Sequence, residues 1–291
     1  MKHKKIVLTG GGTSGHVTPN IALIKRLKQD LWQCFYIGSN TGIEKKITTA
    51  KNIKFYGIAS GKLRRYFSWQ NFIDPFKILF GILQAFILLL RLKPNIVFSK
   101  GGFVAFPVVF AAWLLRIPVI AHESDLTPGL ATKLSVPFAR YICLTFAKAK
   151  EYFKSSAKLK VTGTPIRESL LTGDSSKGQD LCGFSVSKPN LMIIGGGSGA
   201  MAINKVIHQS LDELLKNFNI VHLCGLGKVD TSIIKNGYKQ FDYVTDEMPH
   251  LFAMADLILS RSGANSVYEI LALAKPHIFI PLPLSASRGD Q

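Results

Sequence analysis

The chain has 291 residues, with 36 Lys and Arg against 18 Asp and Glu, a formal net charge of +18, and 47% hydrophobic residues. That apolar share excludes an intrinsically disordered chain, and the length suits two domains. The charge is concentrated in one half: residues 1–165 carry 25 Lys and Arg and 6 Asp and Glu, a net +19, while residues 166–291 carry 11 and 12, a net −1. The first half is therefore expected to face something anionic and the second is not.

The opening Met1-Lys-His-Lys-Lys-Ile-Val-Leu has a basic start, but its apolar run stops at Thr9-Gly10-Gly11-Gly12, too short for a signal peptide. Ile6 to Thr9 reads as a short buried strand, followed by a glycine run and then a helical pattern from Ile21 to Leu27. Cys34 to Ile37, Asn95 to Phe98 and Pro118 to Ala121 read as further strands, ending at Gly38, at Gly101-Gly102 and at His122-Glu123. The pattern restarts with Leu191 to Ile194, the loop Gly195-Gly-Gly-Ser-Gly199 and a helix over Ala202 to Leu211. A polar, turn-rich stretch from Thr172 lies between. Strands alternating with helices predict an α/β protein: two Rossmann-like parallel-sheet domains, 1–165 and 166–291, facing a cleft and joined near Gly163-Thr164-Pro165. After a strand at Ile278 to Pro281 the chain ends on a loop at Gln291, so the second domain is expected to be truncated at its C-terminus. Cys34, Cys143, Cys182 and Cys224 stand far apart, which predicts reduced thiols and no disulfide or zinc site.

One stretch, Ile78 to Leu90, is almost wholly apolar, yet at 13 residues it falls short of the roughly 20 that span a bilayer. It reads either as a buried helix or as a helix exposing part of its apolar face to a membrane surface. In the second case Leu79, Phe80 and Phe86 would enter the interface, and Arg64, Arg65, Lys77, Arg91 and Lys93 would attract anionic headgroups.

Three glycine-rich turns follow strands: Gly10–Gly15, Gly101-Gly102 and Gly195–Gly199. Without Cβ atoms a backbone can approach a phosphate closely, and the amides and dipole of a following helix hold the anion. None has the Gly-Lys-Ser/Thr ending of a nucleoside-triphosphate loop. Two such loops opening two domains, plus a third, argue for two phosphate-bearing ligands. His16, directly after the first loop, is a candidate general base or neutral donor. His122-Glu123-Ser124-Asp125 closes another strand and could orient an acceptor hydroxyl, with a hydrogen-bonded loop the equal alternative for Glu123; Glu269 could take both hydroxyls of a ribose, though the residues alone favour an ordinary surface carboxylate.

Together, Gly11-Gly-Thr-Ser-Gly-His-Val-Thr-Pro19, Ser99-Lys-Gly-Gly-Phe-Val-Ala-Phe-Pro107, His122-Glu123, Val161-Thr-Gly-Thr-Pro-Ile-Arg167, Gly195–Ala200 and Arg261-Ser-Gly-Ala264 with Glu269 resemble the MurG family. These are the peptidoglycan N-acetylglucosaminyltransferases that convert lipid I to lipid II at the cytoplasmic face of the bacterial inner membrane. The resemblance covers essentially the whole chain. It implies a two-domain nucleotide-sugar glycosyltransferase fold with the active site in the interdomain cleft, and peripheral attachment to an anionic membrane surface. It implies an inverting transfer in which UDP-N-acetylglucosamine is a substrate, with neither cofactor nor metal, and it implies partnership with other cell-wall synthesis proteins. Nucleic acid is a poor fit to these loops.

By position, the resemblance assigns Gly197 and Ser198 to the donor diphosphate, Thr245 to uracil, and Ala264, Asn265, Ser266, Val267, Tyr268 and Glu269 to the lining of the nucleotide site. Arg167 would approach the diphosphate and Gln291 the sugar, with Thr13, Ser14, Gly15 and Asp125 also near the donor. Gly11, Gly12, Gly101 and Gly102 would face the acceptor diphosphate, with His16 and Glu123 the catalytic candidates. The chain departs from the family pattern at Asp125, where an asparagine is usual, and at Gly197, which takes the place of a serine. The alternatives are a related enzyme that glycosylates a neutral lipid, and an inactive membrane-associated binding protein.

Overall fold

The computed structural model describes residues 4–61, 70–154, 158–185, 187–196 and 199–283. The chain divides into two compact units, Met1–Pro165 and Ile166–Gln291. In the first, the elements run β1 (Lys5–Thr9), α1 (Ser14–Gln29), β2 (Gln33–Ser39), α2 (Ile43–Ala50), β3 (Lys54–Ile58), α3 (Gln70–Leu92), β4 (Ile96–Ser99), α4 (Ala105–Leu114), β5 (Val119–Glu123), α5 (Leu130–Ser135), β6 (Tyr141–Leu144) and β7 (Leu159–Val161). In the second they run α6 (Ser175–Cys182), β8 (Asn190–Ile194), α7 (Met201–Gln209), α8 (Leu211–Asn217), β9 (Asn219–Leu223), β10 (Tyr238–Phe241), α9 (Met248–Met254), β11 (Leu257–Arg261), α10 (Ala264–Ala272) and β12 (His277–Ile280).

The strands form two sheets in which every pairing is parallel, ordered β3-β2-β1-β4-β5-β6-β7 and β10-β9-β8-β11-β12. Both orders reverse direction once, between β1 and β4 in the first unit and between β8 and β11 in the second. In an open parallel sheet the crevice at such a reversal, beyond the carboxyl ends of the strands, is where ligands bind. The glycine turns follow β1, β4 and β8.

The strands read as near-continuous apolar runs because helices cover both faces. Alternate residues of β1 go to opposite layers: Val7 joins Phe35, Val97, Ala85 and Leu89 on one face, while Ile6 and Leu8 join Val17, Ile24 and Tyr36 on the other. The second unit repeats the plan, with Met192 and Ile194 on one face of β8 and Leu191 and Ile193 on the other.

Element ends differ from the sequence reading where tertiary pairing overrides local signals. Gly38 lies inside β2, paired with Gly57 of β3, so it does not end the strand. β5 continues through His122 and Glu123, which pair with Cys143 and Leu144 of β6 and are buried. α3 runs for 23 residues, far beyond the 13 of its most apolar stretch. All four cysteines are free, and burial pushes the Cys182 and Cys224 thiols up to about 12 and about 11.

α3 has two unlike faces. Ala85 and Leu89 are in the core, and Gln84 accepts the Ala59 amide at 2.7 Å. Ile73, Phe76, Phe80, Leu83, Ile87 and Leu90, spaced alternately by three and four residues, are exposed, as is Leu79. Phe86 differs from the membrane-facing expectation: it packs against the core, one step around the helix from the exposed stripe. Lys77, Arg91 and Lys93 are exposed, while Arg64 and Arg65 lie outside the described residues.

Gly102 sets the tightest backbone approach in the first unit. Its φ is +84°, and a Cβ there would stand 2.2 Å from the Gly11 carbonyl oxygen. Gly102→Ala is expected to destabilise by about 2 kcal/mol or more, through left-handed strain and overlap with backbone that cannot swing away. Urea denaturation of the variant against the wild-type protein measures this.

Candidate active site

The first glycine turn is anchored from below. The Tyr36 hydroxyl donates to the Gly10 carbonyl at 2.7 Å, and Asn20 Nδ2 donates to the Thr9 carbonyl at 3.2 Å and to the Tyr36 oxygen at 3.1 Å. A fully buried carboxylate, Glu44, lies behind the same turn. Its Oε1 accepts the Ser39 amide at 2.8 Å and its Oε2 accepts the Gly12 amide at 3.3 Å. A Cβ on Gly11, Gly38 or Gly42 would come within 2.7 Å of the Glu44 side chain, so three glycines make room for one carboxylate. The Gly12 amide, expected to face a diphosphate, is thus engaged by Glu44.

α1 starts at Ser14, with Thr13 as its extended N-cap residue and Gly15 in its first turn. His16 Nδ1 lies 3.1 Å from the Gly11 carbonyl oxygen and 3.0 Å from Thr13 Oγ1. A carbonyl only accepts, so in the neutral ring Nδ1 carries the proton and Nε2 is the basic nitrogen. Nε2 lies 3.9 Å from the position a Cβ on Gly101 would take. The first and second glycine turns and His16 therefore meet at one point, above the reversal between β1 and β4.

The end of β5 supplies a third wall. Glu123 is buried, and its carboxylate is committed to backbone: Oε1 accepts the Asp125 amide at 3.0 Å and Oε2 the Gly129 amide at 3.1 Å. It shapes the turn that carries Ser124 and Asp125. His122 Nε2 lies 2.8 Å from the Gly163 carbonyl oxygen, so Nε2 holds the proton and Nδ1 accepts from Lys100 Nζ at 3.0 Å. Burial, reinforced by the Lys100 charge, pushes His122 down to about 3.

In the second unit, Arg167 and Glu269 come together. The Arg167 Nε and Nη2 lie 3.2 Å and 3.1 Å from the same carboxylate oxygen, Oε1. The guanidinium expected at a diphosphate is held by the carboxylate expected at a ribose. Burial raises the Glu269 pKa, and Arg167 opposes that rise. Asn265 to Tyr268 lie in the first half of α10, whose Val267 amide bonds the Gly263 carbonyl at 3.0 Å. Arg261 donates to the Ile280 and Pro281 carbonyls, tying β11 to the end of β12. The Thr245 amide donates to Glu247 at 3.3 Å. Gly197, Ser198 and Gln291 lie outside the described residues.

His208, His222 and Cys224 bring ligand-type atoms within 4.8 Å of one another. The Tyr238 hydroxyl stands 2.9 Å from His222 Nδ1 and 3.1 Å from His208 Nε2. Asn204 Nδ2 donates to the Cys224 carbonyl, so Asn204 Oδ1 accepts from His222 Nε2 at 3.1 Å. Every polar atom of the His222 ring is thereby used in a hydrogen-bonded relay rather than left for a metal. Burial pushes His222 down to about 4.

Glu44 and Lys100 are the residues that sequence reasoning missed. Lys100 stands in the quoted Ser99-Lys-Gly-Gly motif, and Glu44 follows the turn Thr41-Gly42 at the end of β2, but nothing in the sequence links Glu44 to a loop 32 positions earlier.

The glycosyltransferase family 28 N-terminal domain matches residues 6–144, and the family's C-terminal domain matches residues 190–291. The chain belongs to glycosyltransferase family 28. It is 58% identical over 287 residues to a Legionella pneumophila (strain Lens) UDP-N-acetylglucosamine--N-acetylmuramyl-(pentapeptide) pyrophosphoryl-undecaprenol N-acetylglucosamine transferase, covering 98% of this chain and 79% of that protein. A Clostridium tetani protein of the same name is 52% identical over 289 residues, covering 99% and 80%. The crystal structure of Acinetobacter baumannii MurG aligns with a TM-score of 0.69 at 27% identity, over 97% of this chain and 79% of that one. A Neisseria meningitidis UDP-GlcNAc 2-epimerase, 18% identical with a TM-score of 0.66 over 94% and 82%, shares the fold.

Burial of His122 and His222 as neutral rings is expected to make the stability of this chain acid-sensitive. An unfolded histidine takes a proton near pH 6.5, whereas folded His122 and His222 hold out to about 3 and about 4. Between those values the unfolded chain binds more protons, so stability falls as pH falls. The urea midpoint is expected to drop from pH 7 to pH 4.5. His222→Asn should lose up to about one proton of that dependence, and an identical slope in the variant would contradict the assignment.

Proposed function

We propose that this chain transfers N-acetylglucosamine from UDP-N-acetylglucosamine to the 4-hydroxyl of the N-acetylmuramyl unit of lipid I, with inversion, giving lipid II. The observation that carries the reading is the 58% identity across 98% of the chain to a transferase named for that reaction. Glycine turns at the order reversal of each sheet fit two phosphate-bearing substrates. The first unit holds the acceptor and the second the nucleotide sugar.

The acceptor hydroxyl oxygen forms a bond to the anomeric carbon as the bond from that carbon to UDP breaks. His16 Nε2, the basic nitrogen in the tautomer set by Gly11, takes the hydroxyl proton. The leaving diphosphate is stabilised by amides of the Gly195–Gly199 turn ahead of α7, with Gly197 and Ser198 among them. Glu269 takes the ribose hydroxyls, and its ion pair with Arg167 opposes the rise that burial gives its pKa and holds the carboxylate in place. Thr245 and the Ala264–Glu269 stretch line the nucleotide. Asp125 and Gln291 approach the donor sugar, and Glu123 acts by shaping the acceptor turn. UDP-N-acetylglucosamine is a substrate, and the proposed step needs no cofactor.

The acceptor is lipid-linked, and α3 fits a membrane surface. By length and composition Ile73–Leu92 could cross a bilayer. As the crossover between β3 and β4, with its inner face in the core, it instead suits lying on the surface. Each large apolar residue left in water forfeits ~1.5–3 kcal/mol of burial, which insertion of the exposed stripe would recover. Lys77, Arg91 and Lys93 beside it suit anionic headgroups, which supports peripheral attachment to the inner face of the plasma membrane.

His16→Ala and Glu269→Ala are each expected to lower transfer from radiolabelled UDP-N-acetylglucosamine to lipid I by about 100-fold. Wild-type turnover in both removes these roles, and a preference for diacylglycerol over lipid I would favour the neutral-lipid alternative. Leu83→Asp should weaken binding to phosphatidylglycerol vesicles by about tenfold or more, measured by sedimentation, while Phe86→Ala should act through stability instead.

A further inference from the structure

Three acidic side chains lie in or behind the turns after β1 and β5 of the first unit, where an anionic ligand would be repelled. Glu44 holds the Gly12 amide, Glu123 holds the Asp125 and Gly129 amides, and Asp125 follows in the same turn. In the turns after β1, β4 and β5, Lys100 is the only Lys or Arg. It is also among the most buried side chains in the molecule, 1% exposed. A buried ammonium is costly unless it is paired, so its retention under these turns calls for a use.

Its contacts show what it joins. The Lys100 Cβ lies 3.1 Å from where a Cβ on Gly10 would stand, which puts the side chain directly beneath the first glycine turn. The ammonium donates to His122 Nδ1 at 3.0 Å and to Ser124 Oγ. His122 Nε2 continues the link to the Gly163 carbonyl, beyond β7. Lys100 thus joins three strand ends: its amide donates to the Thr9 carbonyl at 2.9 Å, its stem packs beneath the first glycine turn, and its ammonium holds the end of β5 and, through His122, the Gly163 carbonyl. The tautomer that His122 must adopt to accept from Lys100 is the one that donates to Gly163.

We propose that Lys100 is the positioning residue that lets these loops accept a diphosphate-bearing acceptor, by holding the strand-end turns in register and by placing one positive charge beneath them. At 1% exposure it does not touch the substrate; it acts through the backbone it fixes and through its field. Burial lowers its pKa to about 8, against the pull of Glu123 and Asp125, so the ammonium is the prevailing form at neutral pH. The inference rests on the acceptor site proposed above.

The test uses the full chain with Lys100→Met, which keeps length and removes charge, and Ser124→Ala, which removes one partner of the ammonium with little change in volume. With lipid I and UDP-N-acetylglucosamine varied separately, Lys100→Met should raise KM for lipid I about tenfold or more and leave KM for the nucleotide sugar within about twofold. Ser124→Ala should shift the same constant in the same direction by less. Calorimetric titration with inorganic pyrophosphate, with saturating UDP filling the nucleotide site, should show binding to wild type and weaker binding to Lys100→Met. An unchanged KM for lipid I and unchanged pyrophosphate affinity in a folded Lys100→Met protein would overturn the proposal. So would equal rises in both KM values together with a lowered thermal midpoint, which would make Lys100 a fold-stabilising residue only. If the wild-type protein fails to transfer to lipid I, the acceptor reading falls, and the pyrophosphate titration still decides whether Lys100 supports an anion site.

Discussion

The reversal of strand order between β1 and β4 is the constraint on which the first unit depends. Strands on either side send their helices to opposite faces, so the turns after β1 and β4 diverge and leave a crevice at the sheet edge. Those two turns then touch backbone to backbone, with Gly102 against the Gly11 carbonyl at a separation that no Cβ would permit. The same carbonyl fixes the His16 tautomer, and the same turn receives Glu44 and covers Lys100. The second unit repeats the reversal between β8 and β11, with a glycine turn on one side and α10 on the other.

The polar groups around these turns are arranged so that buried charges meet backbone or fixed dipoles. Glu44 and Glu123 each spend both oxygens on amides, which lets a carboxylate stay buried. His122 and His222 stay neutral, each with a partner for both ring nitrogens. The large positive charge of the first half belongs mostly to its outer surface, where α3 also displays its apolar stripe. In the turns after β1, β4 and β5 the one Lys or Arg is the buried Lys100.

Much of the plan was legible in the sequence. Apolar runs ended by glycine gave β1, β4 and β8, because a strand covered on both faces has no polar positions to blur the run. Strands with weaker signals, such as β3, β7 and β10, did not stand out. They are edge strands or end strands, with exposed or polar residues such as Lys54, Lys160 and Lys239. Phe86 is a smaller case of the same limit: the sequence marks it as apolar on an apolar helix, but which face meets the core depends on how α3 packs on its neighbours, including α4.

By itself the sequence determined the α/β class, the positions of the glycine turns, the place of His16 directly after the first of them, and the unequal charge of the two halves. All of these are local properties of composition and spacing. Only the tertiary structure decided that Glu123 serves its own loop, that Arg167 is held by Glu269 across 102 positions, and that Glu44 and Lys100 lie beneath the turns. Those facts depend on which strand ends the sheet order brings side by side, and contacts made at such distances along the chain leave no periodic trace in it.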